Sequence, residues 1–578
     1  MVRVRDEKPA ATAGFSTPSG AVRAAHLDRV AVWVLRAGVV ALPLAVWPPG
    51  YDIFVLPKLA LLRLLVLTLA GLRVAAWAVV GRPAWRRTPL DLPLALFVAS
   101  AALSAALAVN VGVAVFGTYY RYEGLLTIAC YALLFWLAVQ AIDRREARTL
   151  VRCLLLGGYV VALLAAVQWA IGGAAVGAGA GESESTFAGS LRAASTMGNA
   201  NALGTFLALL LPLAARELLA ARGAGERVLA TNVAACLGLA LVLTYSRAAW
   251  AGAALGVAIV AAGPAARAAR RRPAAAAGVA LAAAAGLGLA AATRAGPGWF
   301  GTALARAATL SDATGGSGAT RLHIWHDSLP LIVARPWTGW GPDTFGLVFP
   351  RFATGDWTPG YSIDKAHNDL LQVAATQGLL GVAAQLWLLG AIVATFWRGR
   401  RRPGAVAFLA ALVAYEVTLQ TGFSWLPASA PASLLMATAI VAWRPDPAPA
   451  PAPAPGVRRA GVIAGLGAAA ALLAAGLALA TLPVAADTRF RSALAAQSRD
   501  QHAVALRDLA AARRLAPEES VYAAETGDVL LDVDRTGAPG RAADPVAARA
   551  AYEDAVRLGD VRPEVRERLA VADRMAGH

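Results

Sequence analysis

Three side chains, those of Arg247, Arg321 and His367, are the strongest candidates for chemistry in this sequence. Arg247 lies in a short turn between apolar runs at 228–245 and 248–263, where an isolated cation is costly. Arg321 opens an amphipathic segment, and a positive charge at a helix N-terminus opposes the helix dipole unless an anion accompanies it. His367 precedes a long apolar run, and imidazole titrates in the range that proton transfer needs. Together they predict an anion-binding or proton-transferring site at a membrane surface.

Each candidate also has a structural interpretation. Arg247 could extend its charge to the membrane surface from within the apolar layer, and Arg321 could be a solvated charge. His367 could cap the next helix; in a chemical role, it could accept a proton or stay charged beside an anion. His323 and His326 are spaced like a helical metal pair, but no third ligand accompanies them. We therefore predict no metal site and no cofactor.

The elements that carry these residues are predicted to be membrane-spanning helices. Apolar residues make up 58% of the 578 residues and charged residues 15%, whereas soluble domains carry about 25% charged residues. Apolar runs recur at the length that a helix needs to cross about 30 Å of hydrocarbon. The net charge of +17 is divided into short clusters between these runs. Because basic clusters in such loops orient membrane proteins, we expect no nucleic-acid partner.

We predict about thirteen spans, and hence an all-α, polytopic transmembrane helical bundle. The spans are placed at 29–47, 52–80, 90–109, 124–142, 150–171, 199–215, 228–245, 248–263, 274–293, 369–397, 404–423, 428–443 and 460–483. Six arginine clusters fall in alternate loops, which by the positive-inside rule puts residues 1–28 in the cytoplasm. The odd number of spans then puts the C-terminus outside the cytoplasm.

The C-terminal part divides into a linker, a last span and a small domain. Residues 444–459 contain the run PDPAPAPAPAP and are predicted to be a Pro-rich cytoplasmic linker before the final span, 460–483. Residues 487–578 are predicted to be an extracytoplasmic, tetratricopeptide-like domain. This prediction rests on matches at a constant offset, in which Ala505, Leu509 and Ala512 correspond to Ala548, Tyr552 and Ala555. Without an inserted loop the offset equals the period of about 34 residues. The alternative is an alanine-rich helical hairpin without a ligand.

Several stretches of the sequence resemble the O-antigen ligase and polymerase superfamily of bacterial membrane glycosyltransferases. They are FGTYYRYEGLLT (116–127), MGNANALGTFLALLLPL (197–213), LTYSRAAWAG (243–252), RLHIWHDSLPLIVARPWTGWGPDTF (321–345) and KAHNDLLQVAATQGLLG (365–381). The resemblance rests on their order and on the large predicted extracytoplasmic loop, residues 294–368, around the last two. It assigns residues 29–443 to an O-antigen ligase-like transmembrane domain.

The resemblance implies a metal-independent glycosyltransferase of the GT-C type in the cell inner (cytoplasmic) membrane. Such an enzyme moves a glycan from undecaprenyl diphosphate to an acceptor hydroxyl of a glycan, lipid or protein at the outer face. Arg247, Arg321 and His367 correspond to catalytic residues, because protein cations must neutralise a diphosphate leaving group where no metal does so. Further expected partners are membrane lipids and an envelope protein bound by the C-terminal repeats.

The resemblance also implies three substrate-binding candidates, Arg121, Glu123 and Asn368. Arg121 and Glu123 lie in the predicted outward loop 110–123, where contact with the glycan or the diphosphate is expected. They could instead form an interfacial ion pair, worth less than about 1 kcal/mol. Asn368 follows His367 and could cap the next helix, which would set the orientation of the imidazole.

Other functions stay open at the level of the sequence. Within the superfamily, the chain could be a polymerase that joins glycan repeats or a protein O-glycosyltransferase. Outside it, a bicarbonate-type transporter or a scaffold for envelope proteins is conceivable. Transporters usually place ionisable groups near the bilayer midplane in repeated halves, whereas the ionisable residues here gather at one face. We predict a ligase rather than a polymerase, because the outward cations form no second cluster for a second diphosphate.

Overall fold

The computed structural model describes most of the chain between residues 20 and 577. The positions outside the description are 1–19, 84, 172–185, 188–189, 272–316, 355–362, 403, 444–458, 532–543, 561 and 578. The predicted span at 274–293 and nearly all of the Pro-rich linker therefore lie outside the described residues.

The described residues form an all-α structure, as predicted. The helices are α1 (Gly20–Leu44), α2 (Val55–Val80), α3 (Asp91–Ala106), α4 (Val111–Phe116), α5 (Leu125–Ala141), α6 (Arg144–Ala170), α7 (Ala200–Ala220), α8 (Ala224–Leu243), α9 (Arg247–Arg271), α10 (Ser317–Ala334), α11 (Phe345–Val348), α12 (Asp369–Gly399), α13 (Ala405–Leu419), α14 (Leu426–Trp443), α15 (Arg459–Gln497), α16 (His502–Leu515), α17 (Ser520–Leu531), α18 (Pro545–Leu558) and α19 (Pro563–Met575). The short strands β1 (Thr186–Phe187) and β2 (Ser190–Leu191) pair with each other in antiparallel orientation.

Many of these helices are apolar enough to cross a membrane. By length and composition, seven helices qualify, namely α2, α6, α7, α8, α12, α14 and α15. Four shorter apolar helices accompany them, α3, α5, α13 and the first part of α9. Twelve of the thirteen predicted spans coincide with described helices. The chain is thus a multi-pass membrane protein, while its orientation stays a prediction.

Small residues allow the central helices to pack closely. Gly252 and Gly256 of α9 lie against the backbone of Ala414 and Ala410 in α13, an arrangement typical of membrane helices that associate without hydrophobic side chains between them. Because the residue numbers run in opposite directions, the N-terminal end of α9 faces the C-terminal end of α13. Helix α14 is buried along most of its length and lies at the centre of the bundle.

Helix α12 is a hairpin rather than a straight span. Its backbone is non-helical at Gly378, where φ is 67°. Beyond this break the chain folds back, so that the side chain of Gln385 donates a hydrogen bond to Asp369 at 2.6 Å. In a straight helix these residues would be about 24 Å apart. The predicted span 369–397 is therefore wrong in its first part, and a short arm, residues 369–377, precedes the long arm, residues 379–399.

The segment 336–341 holds the tip of this hairpin in place. The amide of Trp340 donates to the carbonyl of Ala375 at 3.0 Å, and the amide of Leu379 donates to that of Pro336 at 2.7 Å. The short arm lies beside the long arm, and Asp369 at its start is level with Gln385. At the helical rise, Gln385 is about 10 Å from the tip at Gly378. His367, just before the short arm, is thus recessed from the tip.

The last membrane helix continues into the C-terminal domain. Helix α15 has 39 residues and runs unbroken through the predicted boundary between 483 and 487. Asp487 lies within it and accepts hydrogen bonds from the amides of Tyr51 at 2.6 Å and Asp52 at 3.0 Å. The C-terminal domain is therefore fixed against the loop between α1 and α2 and is not joined by a flexible linker.

Two helix pairs, α16–α17 and α18–α19, form the rest of this domain. The positions that match in sequence are fully buried in both pairs, namely Ala505, Leu509, Ala512, Ala548, Tyr552 and Ala555. The second pair also contacts the membrane domain, because the side-chain amide of Asn110 donates a hydrogen bond to the backbone carbonyl of Arg557 at 3.0 Å. The assignment to the tetratricopeptide class stays a prediction.

Gly378→Ala is expected to destabilise the protein, since an added Cβ would overlap the carbonyl of Trp337 and the positive φ disfavours any L side chain. We expect a loss of about 1–3 kcal/mol, the usual cost of such backbone strain. Thermal unfolding in detergent measures it. Gly390→Ala is the matched control in the same helix, because nothing lies within 4 Å of its added Cβ. Equal unfolding midpoints for the two variants would contradict the hairpin.

Candidate active site

A buried ion pair joins the segments that carry the predicted site. Lys365 and Asp343 form it, and their side chains are 3% and 1% exposed. The other oxygen of Asp343 accepts hydrogen bonds from the amide of Thr118 at 2.7 Å and from that of Glu123 at 3.2 Å. Asp343 therefore connects the loop after α4, the turn before α11 and the segment before α12. A buried carboxylate with a cation and several donors is fully satisfied.

The loop between α4 and α5 presents side chains to two opposite sides. Tyr120 and Tyr122 have positive φ angles of 68° and 52°, which are uncommon for side chains of this size. Tyr119 and Tyr120 pack at a ring distance of 4.5 Å on the side of the C-terminal domain. Arg121 and Glu123 face the other way, toward Lys365 and Asp343. One loop thus lies between the C-terminal domain and the candidate site.

Arg121 forms an ion pair, but not with Glu123. Its Nε donates to Asp364 at 2.5 Å, and its guanidinium lies 5.3 Å from the ring centre of Phe423 and 5.0 Å from that of Trp425. Burial raises the pKa of Asp364, but Arg121 and Lys365 lower it by more, so the pKa lies below its usual value. The sequence-based alternative of an Arg121–Glu123 pair is therefore wrong.

Glu123 is buried and holds its proton. Its side chain accepts a hydrogen bond from the hydroxyl of Tyr131 at 2.9 Å. Burial raises the pKa of Glu123 to about 8, against the opposing effect of Lys365. At neutral pH this carboxyl is thus mostly uncharged, and it adds little negative charge to the site.

His367 lies among the cations of the site in a strained conformation. Its φ is 50°, and its ring packs edge-on against Phe423 at 5.4 Å between ring centres. Burial, followed by the charge of Arg321, lowers the pKa of His367 to about 4, although Asp364 opposes this shift. The imidazole is therefore neutral at physiological pH, which suits a proton acceptor better than a permanent cation.

Arg321 approaches His367 from α10. The indole of Trp325 donates to the carbonyl of Ala366 at 3.0 Å and so fixes α10 against the residue before His367. Arg321 lies one turn earlier on the same face of α10. The helix begins at Ser317, so Arg321 lies inside it. The sequence-based prediction that Arg321 opens this helix is therefore wrong.

Arg247 lies at the same end of the bundle. It is the first residue of α9, and the N-terminal end of α9 faces the C-terminal end of α13. There the carbonyl of Gln420 accepts a hydrogen bond from Asn368 at 3.0 Å. Arg247 and His367 therefore flank the same helix end. Arg192 is also at this end, because it donates to the carbonyl of Thr244 at 3.0 Å.

Asn368 caps α12, as the sequence suggested. Its side-chain oxygen accepts from the amide of Leu371 at 3.0 Å, while its amide donates to Gln420. Both polar ends of the side chain are thus occupied by the protein, which holds the residue after His367 against α13. Asn368 is therefore a helix cap, and its contact with a substrate stays a prediction.

A cavity of about 410 Å³ adjoins these residues, between α3, α5, α12, α13 and α14. One end is polar and is lined by Glu123, Asp343, Lys365, Asp369, Gln372, Gln385, Glu416 and Gln420. The other end is apolar and is lined by Leu94, Phe97, Leu388, Ile392, Leu409, Leu412 and Met436. The cavity therefore fits a molecule with a polar head and a hydrocarbon tail.

The sequence did not indicate all of the residues that organise this site. Asp343 and Lys365 lie within the stretches that resemble the superfamily, but their pairing across a buried interface has no local signal. Phe423 contacts Arg121, Lys365 and His367, although it lies far along the chain in an apolar region. A distant aromatic residue of this kind is found from the structure alone.

The family comparison covers the central part of the site. Residues 233–386 match the model of the O-antigen ligase family. The match supports a relationship of these residues to the O-antigen ligase superfamily. The match extends from α8 into the long arm of α12 and includes Arg247, Arg321, His367 and Asn368. Among curated proteins, no sequence matches the chain.

The O-antigen ligase domain at residues 233–386 supports a membrane glycan-transferring function of the ligase or polymerase kind. Arg121 and Glu123 lie outside the matched residues, yet the structure places them beside Lys365 and Asp343 within the match. The candidate site is therefore composed of residues from both the matched domain and the helices before it.

Glu123→Gln should stabilise the protein increasingly as the pH rises. A carboxyl with a raised pKa in the folded state contributes stability below its ordinary pKa of about 4.5, and this is lost as the pH rises toward about 8. Glutamine does not titrate, so the advantage of the variant should grow between these values and then level off. Thermal unfolding between pH 5 and pH 9 measures it, with the exposed Glu564→Gln as control. A constant difference at every pH would contradict the buried, protonated carboxyl.

Proposed function

We propose that this protein transfers a glycan from undecaprenyl diphosphate to an acceptor hydroxyl at the outer face of the cytoplasmic membrane, as a ligase. The observation that carries the proposal is a cavity with an apolar end and a polar end, the latter lined by Lys365. Phe423 also lines this cavity and contacts Arg121 and His367. A lipid diphosphate needs both environments at once. The orientation with this site outside the cytoplasm follows from the arginine clusters.

Cations and carboxyl groups lie together at and beside the polar end, whose lining also includes Asp369 and Glu416. Lys365 and Arg121 are paired with Asp343 and Asp364, Glu123 is largely protonated, and Arg321 adds a further charge beside His367. The three cations Lys365, Arg121 and Arg321 support binding of a diphosphate without a metal ion. Guanidinium groups bind phosphate oxygens bidentately, and Arg247 at the same end of the bundle is placed to contribute.

The apolar end of the cavity supports binding of the isoprenoid. The membrane helices α3, α12, α13 and α14 line this end, at the level of Leu388 and Leu412. Hydrocarbon buried there contributes about 25 cal/mol per Å² of surface removed from water. The first isoprene units of the donor would occupy this part and fix the diphosphate at the polar end.

His367 is proposed to accept the proton of the acceptor hydroxyl. The hydroxyl oxygen forms a bond to the anomeric carbon of the glycan, the bond from that carbon to the diphosphate breaks, and the proton moves to an imidazole nitrogen. The diphosphate leaves with the electron pair and an additional negative charge. That charge offsets the cations that lower the pKa of His367, so the imidazole becomes a stronger base as the reaction proceeds.

The polar end also offers groups for the acceptor. Gln372, Gln385, Glu416 and Gln420 line it, and amides and carboxylates bind sugar hydroxyls through hydrogen bonds. One set of cations large enough for a single diphosphate supports one transfer rather than repeated extension. We therefore propose a ligase, with polymerisation as the alternative within the same chemistry.

Arg321→Ala, Arg247→Ala and His367→Ala should each lower the transfer rate by about 10²–10³, as expected when one stabilising group of a charged transition state is removed. Arg321→Lys should recover little, because an ammonium cannot replace the bidentate fork. The measurement uses purified protein and a lipid-linked glycan. Arg351→Ala, at an exposed arginine of the same segment, serves as the control. Near-normal rates in the first three variants, with unfolding midpoints unchanged, would refute the mechanism.

A further inference from the structure

A second pocket lies at the opposite end of the bundle from His367. It has a volume of about 270 Å³ and is enclosed by α6, α7, α14 and the start of α13. Helix α5 has 17 residues and leads from the Glu123 loop to the segment before this pocket, so about 25 Å separates the two ends. The pocket is therefore distinct from the candidate active site.

Guanidinium groups dominate the mouth of this pocket. They belong to Arg144, Arg148, Arg152, Arg216 and Arg402, against the single carboxylate of Glu217. Glu217 is already paired with Arg216 and lies 3.9 Å from Arg152. Within the part of the chain that the structure describes, Arg148 and Arg402 form no ion pair. Among the described residues, the lining of this pocket thus has five guanidinium groups and one carboxylate.

The inner wall of the pocket is apolar. Ala147 and Val151 alternate with the arginines along one face of α6, and Leu213, Ala407 and Phe408 complete the wall from α7 and α13. These side chains belong to helices of the membrane bundle, next to which acyl chains lie. A soluble anion has no hydrocarbon to pack against these apolar side chains, whereas a phospholipid has both a phosphate and adjoining hydrocarbon.

We propose that this pocket binds the phosphate of an anionic phospholipid from the leaflet at this face. Arg148 and Arg402 contact the phosphodiester oxygens, and the glycerol and first methylenes pack against Ala147, Val151 and Phe408. The arginine clusters put this face in the cytoplasm. Anionic lipids of that leaflet attract each nearby basic side chain with a free energy of about 1 kcal/mol. Arginines that served only to orient the chain in the membrane would not need to surround a pocket with an apolar wall.

The Arg148→Ala, Arg402→Ala double variant tests the proposal. Native mass spectrometry of the full chain in detergent, with added phosphatidylglycerol or cardiolipin, should show lipid affinity about 10- to 30-fold below that of the parent. The control is the Arg145→Ala, Arg398→Ala double variant, which removes the same charge from exposed positions outside the pocket. Phosphatidylcholine with the same acyl chains should bind the parent weakly.

Two further measurements complete the test. Glu217→Gln removes the competing carboxylate and should strengthen binding of the anionic lipids several-fold. Equal losses in the two double variants, or equal binding of phosphatidylcholine, would overturn the proposal. Pocket-dependent binding of inorganic pyrophosphate without binding of phosphatidylglycerol would overturn the assignment to a lipid and indicate a soluble anion instead.

Discussion

The buried pair of Lys365 and Asp343 is the interaction on which the candidate site depends. Taking two opposite charges out of water is costly unless further hydrogen bonds satisfy them, and here the amides of Thr118 and Glu123 supply those bonds. Three segments that are far apart in sequence must meet for the pair to be satisfied. Once they meet, Arg121, Glu123 and His367 have little freedom in where they lie.

The same loop that Asp343 anchors also holds the C-terminal domain. Tyr119 packs against Phe490 and Tyr522 at ring distances of 6.3 Å and 6.1 Å, on the side opposite to Arg121. Its hydroxyl also donates a hydrogen bond to Asp487. The domain is therefore part of the support for the site and not an independent appendage. A partner that moved this domain would change the position of Arg121 through the shared loop.

The sequence predicted the architecture well where the signal is local. Apolar runs located twelve of the described helices, and Asn368 was expected to cap α12, as it does. The hairpin at Gly378 was missed, because both arms are apolar and a single glycine within an apolar run does not indicate a reversal. The continuous α15 was missed for the converse reason, since Pro483 and the polar residues after it are typical of a helix end.

The candidate residues His367, Arg321 and Arg247 were identified from cations and imidazole at a membrane surface and from the family resemblance. The structure places them at one end of the bundle, while their catalytic roles stay predictions. The pairing of Arg121 with Asp364 and the role of Phe423 depend on contacts between distant segments, which no local pattern encodes. The lowered pKa of His367 likewise arises from burial and from Arg321 in another helix. Such effects follow from tertiary structure.

Reconstitution with a defined donor distinguishes a single glycan transfer from polymerisation. Purified protein would be given an undecaprenyl-diphosphate-linked glycan, first alone and then with a hydroxyl-bearing acceptor, and the products would be separated by size. For a ligase, we expect no product from the donor alone and a single glycan joined to the acceptor, with release of undecaprenyl diphosphate. A ladder of lengthening lipid-linked glycans from the donor alone, or no transfer with any acceptor, would contradict it.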